Sequence, residues 1–128
     1  MLGFLKPYEP QCYALMRIVT GFLFLWHGSQ KLFGFPGGVP QQAPFFVIAI
    51  AGPIELVGGI LVMIGLFTRP AAFLASGLMA FAYWMAHGFQ ALLPSVNHGE
   101  PAVLYCFVFL FIAARGAGTW SVEGPDKV

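Results

Sequence analysis

The chain has 128 residues, which is room for one domain, and a net charge of +1. Hydrophobic residues make up 59% of it and charged residues 9%, against roughly 25% charged residues in an average soluble domain. These charges are too few to cover a soluble globule, so the composition predicts a protein that lies in the lipid bilayer. The near-neutral charge argues against nucleic acid as a partner, because no basic stripe exists to neutralise phosphates.

Four apolar segments predict four transmembrane helices, at about residues 11–33, 43–67, 70–92 and 101–118. A helix needs roughly 20 residues to cross a bilayer, and the fourth reaches this length only if residues 116–120 lie in the interface. Residues 68–69 connect the second and third helices tightly, whereas residues 34–42 and 94–100 form longer loops. We expect an all-α fold, an integral membrane four-helix bundle that forms a single domain over residues 1–128.

The distribution of basic residues predicts the orientation of these helices, since lysine and arginine are enriched on the cytoplasmic side. One basic residue, Lys31, falls on the side of the two long loops. The other five fall on the side of the termini, and they are Lys6, Arg17, Arg69, Arg115 and Lys127. Both termini are therefore expected in the cytoplasm, with the histidines toward the outer end.

The first three helices each carry a stripe of polar and small residues, at 100° per residue. The stripes contain Arg17, Gly21, His27 and Lys31 on the first helix, Gly52, Glu55, Gly58 and Gly59 on the second, and Tyr83 and His87 on the third. Glycines at such spacing let membrane helices approach closely. Together the stripes predict a polar seam inside the bundle.

Glu55 is the only formal charge in the second apolar segment. An ionisable residue at this depth is costly and by default marks a functional site. It suits a proton relay, a ligand for a polar headgroup, or one half of a buried ion pair. Side chains lean toward the N-terminus of their own helix, so Glu55 leans outward and Arg17 toward the cytoplasm. We therefore expect Glu55 to form the floor of an outward-opening pocket rather than to pair with Arg17. The alternative role for Arg17, and also for Lys31, is that of an anchor at the membrane interface.

His27 and His87 lie at similar depth on different helices and lean toward Glu55. Two such imidazoles suit hydrogen bonds to a quinone, or axial ligation of haem b. A histidine bonded to a backbone carbonyl is commoner than either, and haem is the least favoured of the three. No His/Cys cluster has zinc spacing and no CxxC or nucleotide-binding glycine motif occurs, so no metal site is predicted.

Several motifs extend from about residue 13 to residue 121. They are Arg17-x3-Gly21, LWHGSQKLFG (25–34), PIELVGG (53–59), GLFTRPAA (65–72), MAHGF (85–89), NHGEPAVLYC (97–106) and GAGTWS (116–121). In this combination the chain resembles the DoxX family of small bacterial membrane proteins. The resemblance implies a four-helix, multi-pass protein of the bacterial inner membrane.

Some DoxX members or relatives are associated with thiosulfate:quinone oxidoreduction, and others with tolerance of thiol-oxidative or quinone stress. The resemblance therefore implies a redox or quinone context, although many members have no assigned reaction. Cys12 and Cys106 are not expected to pair, so an oxidoreductase partner subunit is expected if redox chemistry is involved. Whether the chain is itself an enzyme stays open, and so does a homo-oligomer.

The leading hypothesis is an inner-membrane protein that binds a quinone, or a similar small redox-active molecule, in the polar seam. Glu55 would contact the ligand and relay protons. The other expected ligand-binding residues are His27, Lys31, Tyr83 and His87. The alternatives are a non-catalytic scaffold or assembly subunit and, more weakly, a small-solute transporter.

Overall fold

The computed structural model describes residues 3–39 and 43–125, and within these ranges the chain is all-α, as predicted. A 3₁₀ helix leads directly into the first of five α-helices. The elements are the 3₁₀ helix Gly3–Tyr8, α1 (Glu9–Phe33), α2 (Phe45–Ile64), α3 (Thr68–Ala86), α4 (Pro94–Asn97) and α5 (Glu100–Arg115). The four long helices correspond to the four apolar segments, and the short α4 is additional.

The third helix is shorter than the apolar pattern predicts, ending at Ala86 instead of residue 92. The amides of His87 and Gly88 both donate to the carbonyl of Tyr83, at 2.8 and 2.7 Å, which closes the last turn. The chain then leaves the helix, and Pro94 begins α4 within the predicted loop, because proline is well suited to a first helical position. The end of the helices at which residues 87–99 lie is called the loop end below.

α1 and α2 pack with their backbones in contact through glycines. A Cβ atom at Gly21 would lie 2.6 Å from the carbonyl oxygen of Gly59. Two turns further along α1, a Cβ at Gly28 would overlap the amide nitrogen of Leu56 and lie 2.6 Å from the carbonyl oxygen of Gly52. Any side chain at these positions would push the helices apart, so glycine sets their distance.

Gly58 departs from the expectation that it packs like its neighbour Gly59. No atom lies within 4 Å of a Cβ built at Gly58, and this residue borders a small pocket beside α3. The physical reason is the 100° rotation per residue, which turns Gly58 away from α1 when Gly59 faces it.

The four long helices share one apolar core. Its fully buried members are Phe24 from α1, Val62 from α2, Ala72 and Ala75 from α3, and Phe109 and Ile112 from α5. The rings of Phe24 and Phe109 lie with their centroids 4.6 Å apart and join α1 to α5. The hydroxyl of Ser76 donates to the carbonyl of Cys106 over 2.7 Å and joins α3 to α5.

Residues 116–125 fold back across the end at which α1 begins and α5 ends, called the cap end below. The amides of Val122 and Glu123 donate to the carbonyls of Ile64 and Gly65, each over 3.0 Å. The Glu123 carboxylate accepts from the amide of Thr68, the first residue of α3, over 2.8 Å. The segment thus supplies partners for backbone groups that a helix terminus leaves without one. Lys127, used above to predict orientation, lies outside the described residues.

The surface of the long helices is strongly apolar. Large side chains that are at least 46% exposed include Phe22, Leu23, Phe73, Phe81, Phe107 and Phe111. Such a surface is typical of contact with lipid or with another protein. Within the described ranges one helix, Phe45–Ile64, is long and apolar enough on its own to cross a membrane by length and composition. The 16 residues of α5 span only about 24 Å at 1.5 Å per residue.

A pair of glycine substitutions tests the contact between α1 and α2. Gly28→Ala forces a methyl group into the backbone of α2, and we expect it to lower the free energy of unfolding by about 1–3 kcal/mol. The matched control, Gly58→Ala, adds the methyl group in open space and should be neutral or stabilising by up to about 1 kcal/mol. Thermal unfolding in detergent measures both, and equal stability of the two variants would contradict the packing described.

Candidate functional site

Lys31 and Glu55 form an ion pair between α1 and α2. The ammonium nitrogen of Lys31 donates to both carboxylate oxygens of Glu55, over 2.8 and 3.0 Å. The Glu55 side chain is 3% exposed and that of Lys31 is 16% exposed. Each residue lies three positions after a glycine of the close contact, Gly28 or Gly52, so the backbone approach brings the two charges together. Pairing with two hydrogen bonds is what makes burial of both charges tolerable.

Arg17 is fully buried at the cap end and its guanidinium binds backbone carbonyls rather than a carboxylate. A guanidinium has five N–H groups, and here each has an acceptor. The acceptors are the carbonyls of Val62 (3.0 Å), Met63 (3.5 Å), Ala117, Thr119 (3.0 Å) and Trp120 (2.7 Å). Arg17 therefore neither pairs with Glu55 nor reaches the surface as an interfacial anchor, because the C-terminal segment encloses it.

Three further residues at the cap end hold α5 and the C-terminal segment in place. The Tyr13 hydroxyl donates to the carbonyl of Gly116 over 2.7 Å. Arg115 lies 4.4 Å above the Tyr13 ring and forms an ion pair with Glu9. The guanidinium of Arg69 donates to three carbonyls at the end of α5. These polar contacts make the cap end a structural unit.

Asn97 organises the loop end, and sequence reasoning missed it. Its side chain, 1% exposed, donates to the Tyr83 hydroxyl and to the carbonyl of Ala91, over 3.0 and 3.1 Å, and accepts from the amide of Gly99 over 2.9 Å. Its backbone carbonyl lies 2.9 Å from Nδ1 of His87. The available signal was an asparagine before His-Gly between two apolar segments, a composition typical of a turn that bonds its own backbone.

A groove of about 760 Å³ lies between α2 and α3 at the loop end. Its walls are mostly apolar. The larger wall residues are Phe46, Val47 and Ile50 from α2 and Leu78, Phe81 and Met85 from α3, and the polar side chains that line it are His87, Gln90 and His98.

Of the five residues predicted to bind a ligand, His87 is the one that lines this groove. Tyr83 is not among the lining residues, and its hydroxyl accepts a hydrogen bond from the Asn97 side chain. Lys31 and Glu55 lie at the contact between α1 and α2 and are not among the lining residues. The predicted seam is thus divided between two places, because a stripe on a helix does not specify which neighbouring helix it faces.

His27 lies apart from the groove. Its side chain is exposed on α1, and its ring stands edge-on to that of Tyr105 on α5, with centroids 6.0 Å apart. His27 and His87 therefore face different elements, which does not fit the two axial ligands of one haem. Within residues 3–39 and 43–125, no group of three or more His, Cys, Asp or Glu side chains converges.

The fold defines a small, all-helical protein whose long helices present an apolar surface. The sequence model of the DoxX family matches residues 13–88, more than half of the chain. The chain belongs to the DoxX family.

Three relatives show how far the similarity extends. The chain is 39% identical over 127 residues to an uncharacterized protein of Haemophilus influenzae, covering 93% of both chains. It is 29% identical over 127 residues to inner membrane protein YphA of Escherichia coli, covering 90% of both chains. A shorter match, 39% over 59 residues, covers 43% of this chain and 44% of CatD of Bacillus subtilis, whose name provisionally describes an oxidoreductase. No solved structure matches the chain.

Substitutions at Glu55 test whether the buried ion pair holds α1 and α2 together. Glu55→Ala leaves the Lys31 ammonium without its partner, and we expect a loss of about 3 kcal/mol of unfolding free energy. Replacing both residues, Lys31→Met with Glu55→Leu, removes both charges at similar volume and should restore most of that stability.

The matched control for this experiment is the exposed pair at the cap end. Glu9→Ala removes the partner of Arg115, and we expect it to cost less than about 1 kcal/mol because both side chains are solvated. Unfolding by titration with a denaturing detergent measures all of these variants. A Glu55→Ala variant as stable as Glu9→Ala would show that the buried pair contributes nothing.

Proposed function

We propose that this protein binds a quinone, or a similar small redox-active molecule with an apolar tail, in the groove between α2 and α3. The observation that carries the proposal is an apolar groove with three polar side chains gathered on one short stretch of chain, His87, Gln90 and His98. Small-molecule sites are typically apolar clefts of about 300–1,000 Å³ with a few convergent polar groups. The volume of about 760 Å³ falls in this range.

A prenylated quinone matches this arrangement in shape and polarity. Its ring carries two oxygen atoms that need hydrogen-bonding partners, and His87, Gln90 and His98 are the candidate partners at the loop end. Its tail is apolar and suits the walls formed by Ile50, Phe81 and Met85. Because the outer surface of the helices is itself apolar, a lipid-soluble ligand can enter from the bilayer without crossing water.

We assign Lys31 and Glu55 to the packing of α1 against α2 rather than to the ligand or to a proton relay. Both carboxylate oxygens of Glu55 accept from Lys31, and neither residue lines the groove. Of the predicted set, His87 keeps the ligand-binding role, together with Gln90 in the loop after α3 and His98 directly after α4.

The redox context of the proposal is supported by the oxidoreductase name of CatD, a relative over part of its length. Cys12 and Cys106 are free thiols, one near the start of α1 at the cap end and the other on α5 beside Ser76. They are not placed to act as a redox pair. Electrons would therefore come from a partner oxidoreductase subunit.

The protein is further proposed to cross the bacterial inner membrane several times, with both termini in the cytoplasm. Among the described residues, the basic side chains at the cap end are Lys6, Arg17, Arg69 and Arg115, whereas Lys31 at the loop end is neutralised by Glu55. This asymmetry follows the positive-inside rule. YphA, similar over 90% of both chains, is named an inner membrane protein. The groove then opens on the outer side.

Filling the groove tests the proposed function. Ile50 lines the groove and is 57% exposed, so Ile50→Trp occupies ligand space without disturbing the core. The indole displaces roughly 60 Å² of apolar ligand surface at about 25 cal/mol per Å², which corresponds to about tenfold weaker binding. The measurement is the Kd of decylubiquinone for the detergent-solubilised protein, by titration calorimetry.

Val57→Trp is the matched control. Val57 lies two turns further along α2, is 54% exposed and borders a different pocket, so its substitution should leave the Kd unchanged. Equal effects of the two variants would place the ligand elsewhere. Failure of the parental protein to bind, together with copurification of an oxidoreductase, would instead indicate a scaffold or assembly subunit.

A further inference from the structure

The hydrogen bond that holds His87 against the loop also determines which nitrogen of its ring carries the proton. Nδ1 of His87 lies 2.9 Å from the backbone carbonyl oxygen of Asn97. A carbonyl oxygen can only accept, so Nδ1 must be the donor. A neutral imidazole has one N–H group. Nε2, on the opposite edge of the ring, is therefore a hydrogen-bond acceptor.

This tautomer is set by a rigid partner. The Asn97 side chain makes three hydrogen bonds, to Tyr83, Ala91 and Gly99, and is 1% exposed. The carbonyl that faces His87 belongs to this well-bonded residue. A ligand cannot readily reverse the tautomer, because a proton on Nε2 would leave the lone pair of Nδ1 against the lone pairs of the carbonyl.

Gln90, the second polar side chain, offers both an acceptor and a donor. Its Nε2 atom donates to the carbonyl of Ala86 over 2.8 Å, and the carbonyl identifies this atom as the amide nitrogen. The oxygen, Oε1, stays available as an acceptor, and the second N–H of the amide stays available as a donor. His98 is exposed, and its imidazole can adopt either tautomer to suit a ligand. Of these three side chains, His87 is thus the one whose available polarity is determined by the fold.

We propose that the groove selects the reduced form of its ligand, a quinol, over the oxidised form, a quinone. This inference rests on the proposed function and names the redox state that the site prefers. A quinol hydroxyl donates to Nε2 of His87, whereas a quinone carbonyl has only lone pairs and leaves Nε2 without a partner. His87 is then a specificity-determining residue, and Asn97 is the positioning residue that fixes its tautomer.

The test compares the two redox forms of one molecule. The Kd values of decylubiquinone and decylubiquinol are measured anaerobically on the full chain in detergent, at about pH 8. One hydrogen bond gained or lost corresponds to about three- to tenfold tighter binding of the quinol. A quinone that binds as tightly as the quinol would overturn the inference and leave the groove as a quinone site. If neither form binds, the proposed function fails as well.

A methylated ligand gives a test without any substitution in the protein. The dimethyl ether of decylubiquinol keeps the reduced ring and the tail but lacks both hydroxyl donors. We expect it to bind no more tightly than the quinone. Binding equal to that of the quinol would show that the hydroxyl groups are not recognised, which overturns the inference.

Substitution of the two histidines identifies the residue responsible. His87→Phe keeps an aromatic ring and removes the acceptor, so the preference for the quinol should fall to less than about twofold. His98→Phe is the matched control in the same groove, and because the imidazole of His98 can adopt either tautomer, its loss should weaken both forms alike and retain the preference. If His87→Phe does not fold, the comparison of the quinol with its dimethyl ether, which needs no substitution, decides the inference. Loss of the preference in His98→Phe alone would contradict the assigned role of His87.

Discussion

The fold depends most on one buried cation, the guanidinium of Arg17. Five backbone carbonyls surround it, two at the end of α2 and three in the segment after α5. A charge removed from water is tolerable only when its hydrogen bonds are replaced, so the C-terminal segment must return to α1. Once there, its residues Val122 and Glu123 complete the end of α2 and the start of α3. A single side chain thus joins the first helix to the last segment of the chain.

The same constraint separates a structural half of the molecule from the half that carries the proposed ligand site. At the cap end the arginines and Tyr13 are bonded to carbonyls or to a carboxylate, and Lys31 and Glu55 neutralise each other inside the helix pair. In the groove between α2 and α3 polar side chains are few, and His87 and Gln90 each use one polar atom for a hydrogen bond to the backbone. The hydrogen bond that holds His87 against the loop therefore also defines the polarity that it would offer to the proposed ligand.

Much of the fold could be predicted from the residues, but the grouping of the polar side chains could not. The apolar segments predicted the long helices, and the motifs predicted the DoxX family, which the comparison shows. Glu55 was expected not to pair with Arg17, and the structure pairs it with Lys31 instead. His27 was expected to face Glu55, yet it stands against Tyr105, because the adjacent Gly28 occupies the contact with α2. One residue corresponds to 100° of rotation, and a stripe about 120° wide cannot decide between two neighbouring helices.

The sequence by itself determined the class of the protein: low charge and long apolar segments leave no means of covering a soluble surface, and they dictate helices for which the bilayer is the solvent. Only the tertiary structure decided which acceptors meet Arg17, which charge meets Glu55, and which edge of His87 is available. These outcomes depend on the backbone distance allowed by Gly28 and Gly52 and on the position of the Asn97 carbonyl. The first is set by packing between α1 and α2 and the second by the folding of residues 83–99 on themselves, and a helical stripe specifies neither.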